Sequence, residues 1–134
     1  GVPSSLWPIT LQLPVWRKLC WNVPFNGLSI AGGGITTDLI LSSQVLRERA
    51  HQLMIEIQTG ANAHGIIIED HFLEKQFQLT EAMGAYKPSS LIDYLSRKPV
   101  EVEAMFGEAL NRGQSKGIEM VELSKLYSEL LELT

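Results

Sequence analysis

The sequence predicts an all-α protein, an irregular helix bundle built as one domain, and three observations carry that prediction. Apolar residues recur at three- and four-residue spacing along most of the chain. No stretch alternates apolar with polar residues long enough to make a half-buried strand, and clusters of glycine, proline, serine and asparagine cut the periodic stretches into helix-length pieces. With 134 residues, 45% of them hydrophobic and 19% charged, the chain has ordinary globular composition and can bury roughly two-thirds of its unfolded surface around one core. It contains no internal repeat and no sustained heptad pattern, so neither a solenoid nor a coiled coil is expected.

Residues 1–14 contain Pro3, Pro8 and Pro14 and keep no period, which predicts a connecting segment or inter-domain linker ahead of a helical domain at 15–134. From Val15 to about Ile30, Trp16, Leu19, Cys20, Val23 and Leu28 mark a helix; Pro24 lies inside it and removes the donor for the Cys20 carbonyl, which predicts a kink near Trp21. Gly32, Gly33 and Gly34 end that helix, and Thr36, Thr37 and Asp38 suit the start of a short one reaching Leu41. Ser42 or Ser43 then caps a long helix whose stripe of Leu46, Ala50, Leu53, Met54, Ile57 and Ala61 runs up to Gly65. Ile66, Ile67 and Ile68 are too few to found a sheet, and Glu69 or Asp70 opens the next helix, ending at Met83 or Gly84. A loop follows from Tyr86 to Ser90. Pro88 and Pro99 suit first-turn positions; Val102, Met105, Phe106, Ala109 and Leu110 draw one helical stripe ended by Gly113 and Gly117, and Val121 to Leu133 makes the last helix.

Composition also narrows the partners. A net charge of -4 with scattered lysines and arginines offers a polyanion no footing, so nucleic acid is not expected. No apolar run reaches the roughly 18 to 20 residues that span a bilayer, and the N-terminus has no basic start, so neither a membrane segment nor a signal peptide is expected. The single Cys20 cannot form an internal disulfide and sits between Leu19 and Trp21, which points to a packed apolar position and a reducing, cytoplasmic setting. The chain begins with Gly1 rather than Met, which suggests that it continues a longer protein.

Two clusters could carry chemistry. Lys18, Asn22 and Asn26 fall at i, i+4 and i+8, and since four residues advance a helix by about 400°, the three share one face. That strip is either a solvated face or one wall of a site; asparagine is a poor helix former and has little reason to repeat on a bare surface. The second cluster is Lys87, Pro88, Ser89 and Ser90, followed by Asp93 and Glu101. By spacing alone the serines read as helix caps, Glu101 as a complement to a helix N-terminus, and Glu103 and Glu108 as solvated charges. His51, His64 and His71 lack the spacing of metal ligands, so no metal site is expected. The triple glycine has no G-x-G-x-x-G register and no strand before it, and no G-x-S-x-G occurs, so neither a phosphate loop nor a nucleophile elbow is present.

Three ordered motifs resemble the C-terminal domain of the ketopantoate reductase family: the run from Trp16 through Lys18, Asn22 and Pro24 to Asn26-Gly27-Leu28, the run from Tyr86 through Ser90 to Asp93, and the run from Pro99 to Gly107. The resemblance covers nearly the whole chain and implies an all-helical domain of the 6-phosphogluconate dehydrogenase C-terminal type, placed behind a Rossmann domain that holds NADPH and is missing here. It implies Lys18 as general acid, Asn22 and Asn26 as lining of the same pocket, and Ser90 and Glu101 as substrate-binding residues, with Ser89 an alternative to Ser90. Lys87 and Thr36 stand where some members carry asparagine. The activity implied is reduction of a 2-oxo acid, ketopantoate or a relative of it, by an enzyme of which this chain alone is an inactive half. A rival from a different class is a helical interaction or dimerisation module; an exposed docking face is expected where the missing half would pack, which makes a homodimer a possible assembly.

Overall fold

The computed structural model describes the backbone of residues 9–134 and the side chains of residues 12–134. The first eight residues of the expected connecting segment lie outside that range. The rest of the segment is helical: α1 (Ile9–Ala31) begins six residues before Val15 and contains both Pro14 and Pro24. Pro14 falls early in the helix, and the carbonyl four residues before it, to which it cannot donate, is that of Thr10 in the first turn. The helical backbone runs through Pro24 as well, which is buried. Gly33 and Gly34, at φ +105° and +83°, turn the chain after Ala31, donating to the carbonyls of Ile30 and Ser29.

The next helices follow the sequence reading closely. They are α2 (Thr37–Ser42), α3 (Gln44–Ala63), whose Ser43 hydroxyl accepts from the Leu46 N–H at 3.3 Å, and α4 (Asp70–Met83), closed by Gly84. Helix α5 (Ser89–Leu95) follows the Tyr86–Ser90 loop and claims its two serines. The expected single helix after Pro99 is instead two pieces: a wide π-helical turn over Glu103–Gly107 and then α6 (Glu108–Gln114). A π turn takes one extra residue, and a three-or-four spacing of apolar side chains fits either geometry, so the stripe could not reveal it. Helix α7 (Val121–Leu133) closes the fold with the predicted bounds. Among the described residues there is no β-strand and no helix long and apolar enough to cross a membrane.

One core holds these helices. α1 packs most extensively on α3, and α7 lies against both. Trp16, Cys20, Val23, Phe25 and Leu28 of α1 meet Leu53, Met54 and Ile57 of α3 and Leu123, Leu126 and Leu130 of α7, all buried. Gly27 lets the crossing close: a Cβ there would lie 2.5 Å from Leu126 and 2.9 Å from the Phe106 ring, so the π turn and α7 press directly on α1 beside Asn26. Cys20 is fully buried, and that burial pushes its thiol up to about 12.

Candidate active site

The polar face of α1 is tilted rather than uniformly wet. Lys18 is exposed, Asn22 half-buried and Asn26 only 1% exposed. Over the roughly 12 Å between Lys18 and Asn26 the strip therefore descends from solvent into the edge of the core. This departs from a simple solvated face, and the neighbouring indoles of Trp16 and Trp21 have partners of their own. Trp16 packs on His64, ring centroids 5.4 Å apart, and the Trp21 indole N–H donates to the Thr80 hydroxyl at 2.8 Å.

At its buried end the face meets the second cluster. The Ser90 N–H donates to Oδ1 of Asn26 at 2.9 Å, joining residues 64 positions apart. Two further contacts fasten the loop ahead of Ser90: the Thr37 N–H donates to the Tyr86 carbonyl at 3.0 Å, and the Tyr86 ring stands edge-on to Trp21 at 6.0 Å. Thr37, Thr80 and Trp21 thus position the loop, and no spacing in the sequence links them. Ser90 is buried, whereas Ser89 and Lys87 are exposed. Thr36 bonds to Asp38 within its own turn.

Glu101 is exposed, in the irregular stretch between Pro99 and Val102, and its carbonyl accepts from the Met105 N–H at 3.3 Å. Five residues later Phe106 touches α1 at Gly27. The structure thus joins Asn26 to Ser90 directly, and brings the segment that follows Glu101 to the same part of α1. Lys18 and Glu101 make no bond to each other or to the other candidates among the described residues. Glu103 and Glu108 are not merely solvated: Glu103 accepts from the Tyr127 hydroxyl, which holds that phenol above its usual range, and Glu108 pairs with Arg112 at 3.0 Å.

Two hollows lie elsewhere. A groove of 760 Å³ between α3 and α4 is floored by Ile55, Leu73 and Phe77, and a hollow of 430 Å³ separates Tyr94 and Val100 from the end of α7. None of the five candidates lines either one. Among the described residues no group of three or more histidine, cysteine, aspartate or glutamate side chains is gathered as metal ligands. His64 bonds the Arg112 carbonyl at 2.9 Å, and His51 packs on Phe77.

The family described as ketopantoate reductase PanE/ApbA, C terminal, matches residues 10–133. A 2-dehydropantoate 2-reductase of Nostoc sp. is 37% identical over 120 residues, which is 90% of this chain and 37% of that protein. The crystal structure of 2-dehydropantoate 2-reductase from Geobacter metallireducens superposes with a TM-score of 0.88 at 37% identity, covering 92% of this chain and 42% of that one. The enzyme of the same name from Methylococcus capsulatus gives 0.81 at 35% identity, covering 88% and 38%. A ternary structure of D-mandelate dehydrogenase shares the fold at 15% identity, with a TM-score of 0.83. The chain spans about two-fifths of the length of the Nostoc and Geobacter reductases. With a match running across nearly all of its residues and an all-helical fold to accompany it, the chain belongs to the ketopantoate reductase family as its C-terminal domain.

Proposed function

We propose that this chain is the substrate-binding and proton-donating domain of an NADPH-dependent 2-oxo acid reductase, acting on 2-dehydropantoate or a close relative of it. The observation that carries the reading is the Asn26–Ser90 hydrogen bond, which puts two separate polar motifs on the face that leads to Lys18. A second support is what the chain leaves open. Lys18 and Glu101 have no partner among the described residues, as expected of groups whose partners are substrate and a covering domain.

The residues here do not make a dinucleotide site: the Gly33–Gly34 turn follows a helix, not a strand, and opens no G-x-G-x-x-G motif. NADPH, which would supply the hydride, is therefore assigned to a domain outside this chain. Lys18 supplies the proton. As negative charge grows on the former carbonyl oxygen, an ammonium beside it stabilises that charge and can hand over its proton. Exposed as it is, Lys18 gains this power only when substrate and the other domain exclude water around it. Asn22 orients the ammonium or the substrate, Ser90 contributes a hydroxyl at the buried end, and Glu101 accepts from a substrate hydroxyl. Ile92 and Leu95, about half exposed and three residues apart on α5, offer the apolar contact on which a covering domain would sit. The isolated chain is accordingly inactive, the full protein works in the cytoplasm, and its homodimerisation is checked by light scattering.

The test is Lys18→Ala in the full-length protein, read by NADPH oxidation with 2-dehydropantoate. The expected result is a fall in kcat on the order of 100-fold or more. Activity within a few-fold of the parent would remove the proton-donor role and favour the interaction-module reading.

A further inference from the structure

Between Pro99 and α6 the chain had a choice of helix. Val102 and Phe106 are buried, while Glu101 and Glu103 are exposed. Burial alone does not select the geometry, because four residues return to nearly the same face in an α turn or in a wider one. The chain takes the wide one: the Glu108 N–H reaches back five residues, to the Glu103 carbonyl. One extra residue in a turn rotates whatever lies ahead of it by about 100° relative to the helix that follows, and Glu101 stands just ahead.

A polar clasp spans this turn. The Glu103 carboxylate accepts from the Tyr127 hydroxyl on α7, and it lies over Gly107, where an added Cβ would come within 2.5 Å of its Oε2 and 3.0 Å of the Tyr127 ring. Tyr127 is seated on the core, on a helix whose first turn is capped by the buried Glu56. Gly107 has an ordinary helical backbone, at φ -62° and ψ -43°, so its conformation does not call for glycine and the missing side chain makes room for the carboxylate. We propose, resting on the reductase reading above, that Glu103, Gly107 and Tyr127 are positioning residues: they clasp the π turn to α7 and thereby set the bearing of Glu101 toward the substrate.

The test uses the full-length protein, read by KM and kcat for 2-dehydropantoate and by melting temperature. Gly107→Ala puts a methyl group where the carboxylate lies, and Tyr127→Phe removes the hydroxyl but keeps the ring. Each should raise KM by about 3- to 10-fold, as expected when one hydrogen bond to a carboxylate no longer biases the turn, with kcat within about twofold of the parent. Gly107→Ala should melt no lower than the parent, because alanine favours a helix, whereas a merely structural role would lower stability and activity together. The two changes combined should raise KM no further than either alone, since both open the same clasp. In a Glu101→Gln background Tyr127→Phe should leave KM unchanged, because the clasp acts through Glu101.

Parental KM in both single variants would overturn the proposal, and a KM rise that persists in the Glu101→Gln background would overturn its route through Glu101. If Lys18→Ala keeps its activity while Tyr127→Phe raises KM as expected, the proton-donor reading fails and this one stands. If the parent reduces no 2-oxo acid, the link to substrate falls with that reading. Hydrogen exchange at the Glu108 amide, expected to be faster in Tyr127→Phe, then decides the clasp by itself, and unchanged exchange overturns it.

Discussion

The junction between α3 and α7 and the face of α1 between Lys18 and Asn26 both carry polar groups, and they treat them in opposite ways. At the junction Glu56 is buried, and its carboxylate accepts from the N–H groups of Glu122 and Leu123 at 3.0 and 2.9 Å, capping α7 from another helix. Beside it Arg49 pairs with Glu122 and, at 2.6 Å, with Glu129; burial pulls its pKa down, but the two carboxylates more than offset this and raise it. On the α1 face Asn26 is engaged while Lys18 is exposed, and Glu101, ahead of the π turn, is exposed as well. Buried polar groups that hold a fold together must be satisfied by the fold. Exposed groups left without partners are suited to a ligand.

Lys18→Ala should give the widest contrast, with kcat down on the order of 100-fold and the melting temperature within about 1 °C of the parent, since an exposed lysine contributes little to stability. Glu56→Ala should do the reverse. Two N–H groups at the start of α7 lose their acceptor, at about 3 kcal/mol together, and a chain of this size melts about 10 °C lower, as calorimetry would show. A melting temperature unchanged by Glu56→Ala would break the comparison.

Cys20 gives a smaller effect that depends on pH. Its folded-state pKa is raised from 9.0 to about 12. The stability tied to the neutral thiol is fully present below pH 9 and is lost as pH rises from there toward 12, at about 1.4 kcal/mol per pH unit. Denaturation of the parent relative to Cys20→Ala should show a deficit of about 1 kcal/mol growing between pH 8 and 10. Smallest of all should be Arg47→Ala: its pair with Glu81 is 42% and 54% exposed, so a change within about 0.5 kcal/mol is expected in urea denaturation.

Much of the fold was legible because helix periodicity and capping are local. Ser43 opens α3 and Gly84 closes α4 where their chemistry says they should, and α7 has the predicted limits. The misses are equally physical. Helix α1 starts at Ile9 because tertiary packing sustains a helix through a proline that local rules read as a breaker. The π turn beside Glu101 escapes an apolar stripe whose spacing it also satisfies. For the site, the shared face of Lys18, Asn22 and Asn26 was visible as arithmetic on 3.6 residues per turn. The burial gradient along that face was not, since it depends on what α5 and the π turn bring against it.

By itself the sequence determined the all-α class, the helix order, the buried cysteine and the polar strip on α1, because each follows from residues within a turn or two of one another. Only the tertiary structure decided that Asn26 caps α5, that Lys18 is left in solvent, and that Glu56 holds α7. The first and last of these require groups 64 to 67 positions apart to meet, and a contact over that separation is set by how whole helices pack, which no local spacing encodes.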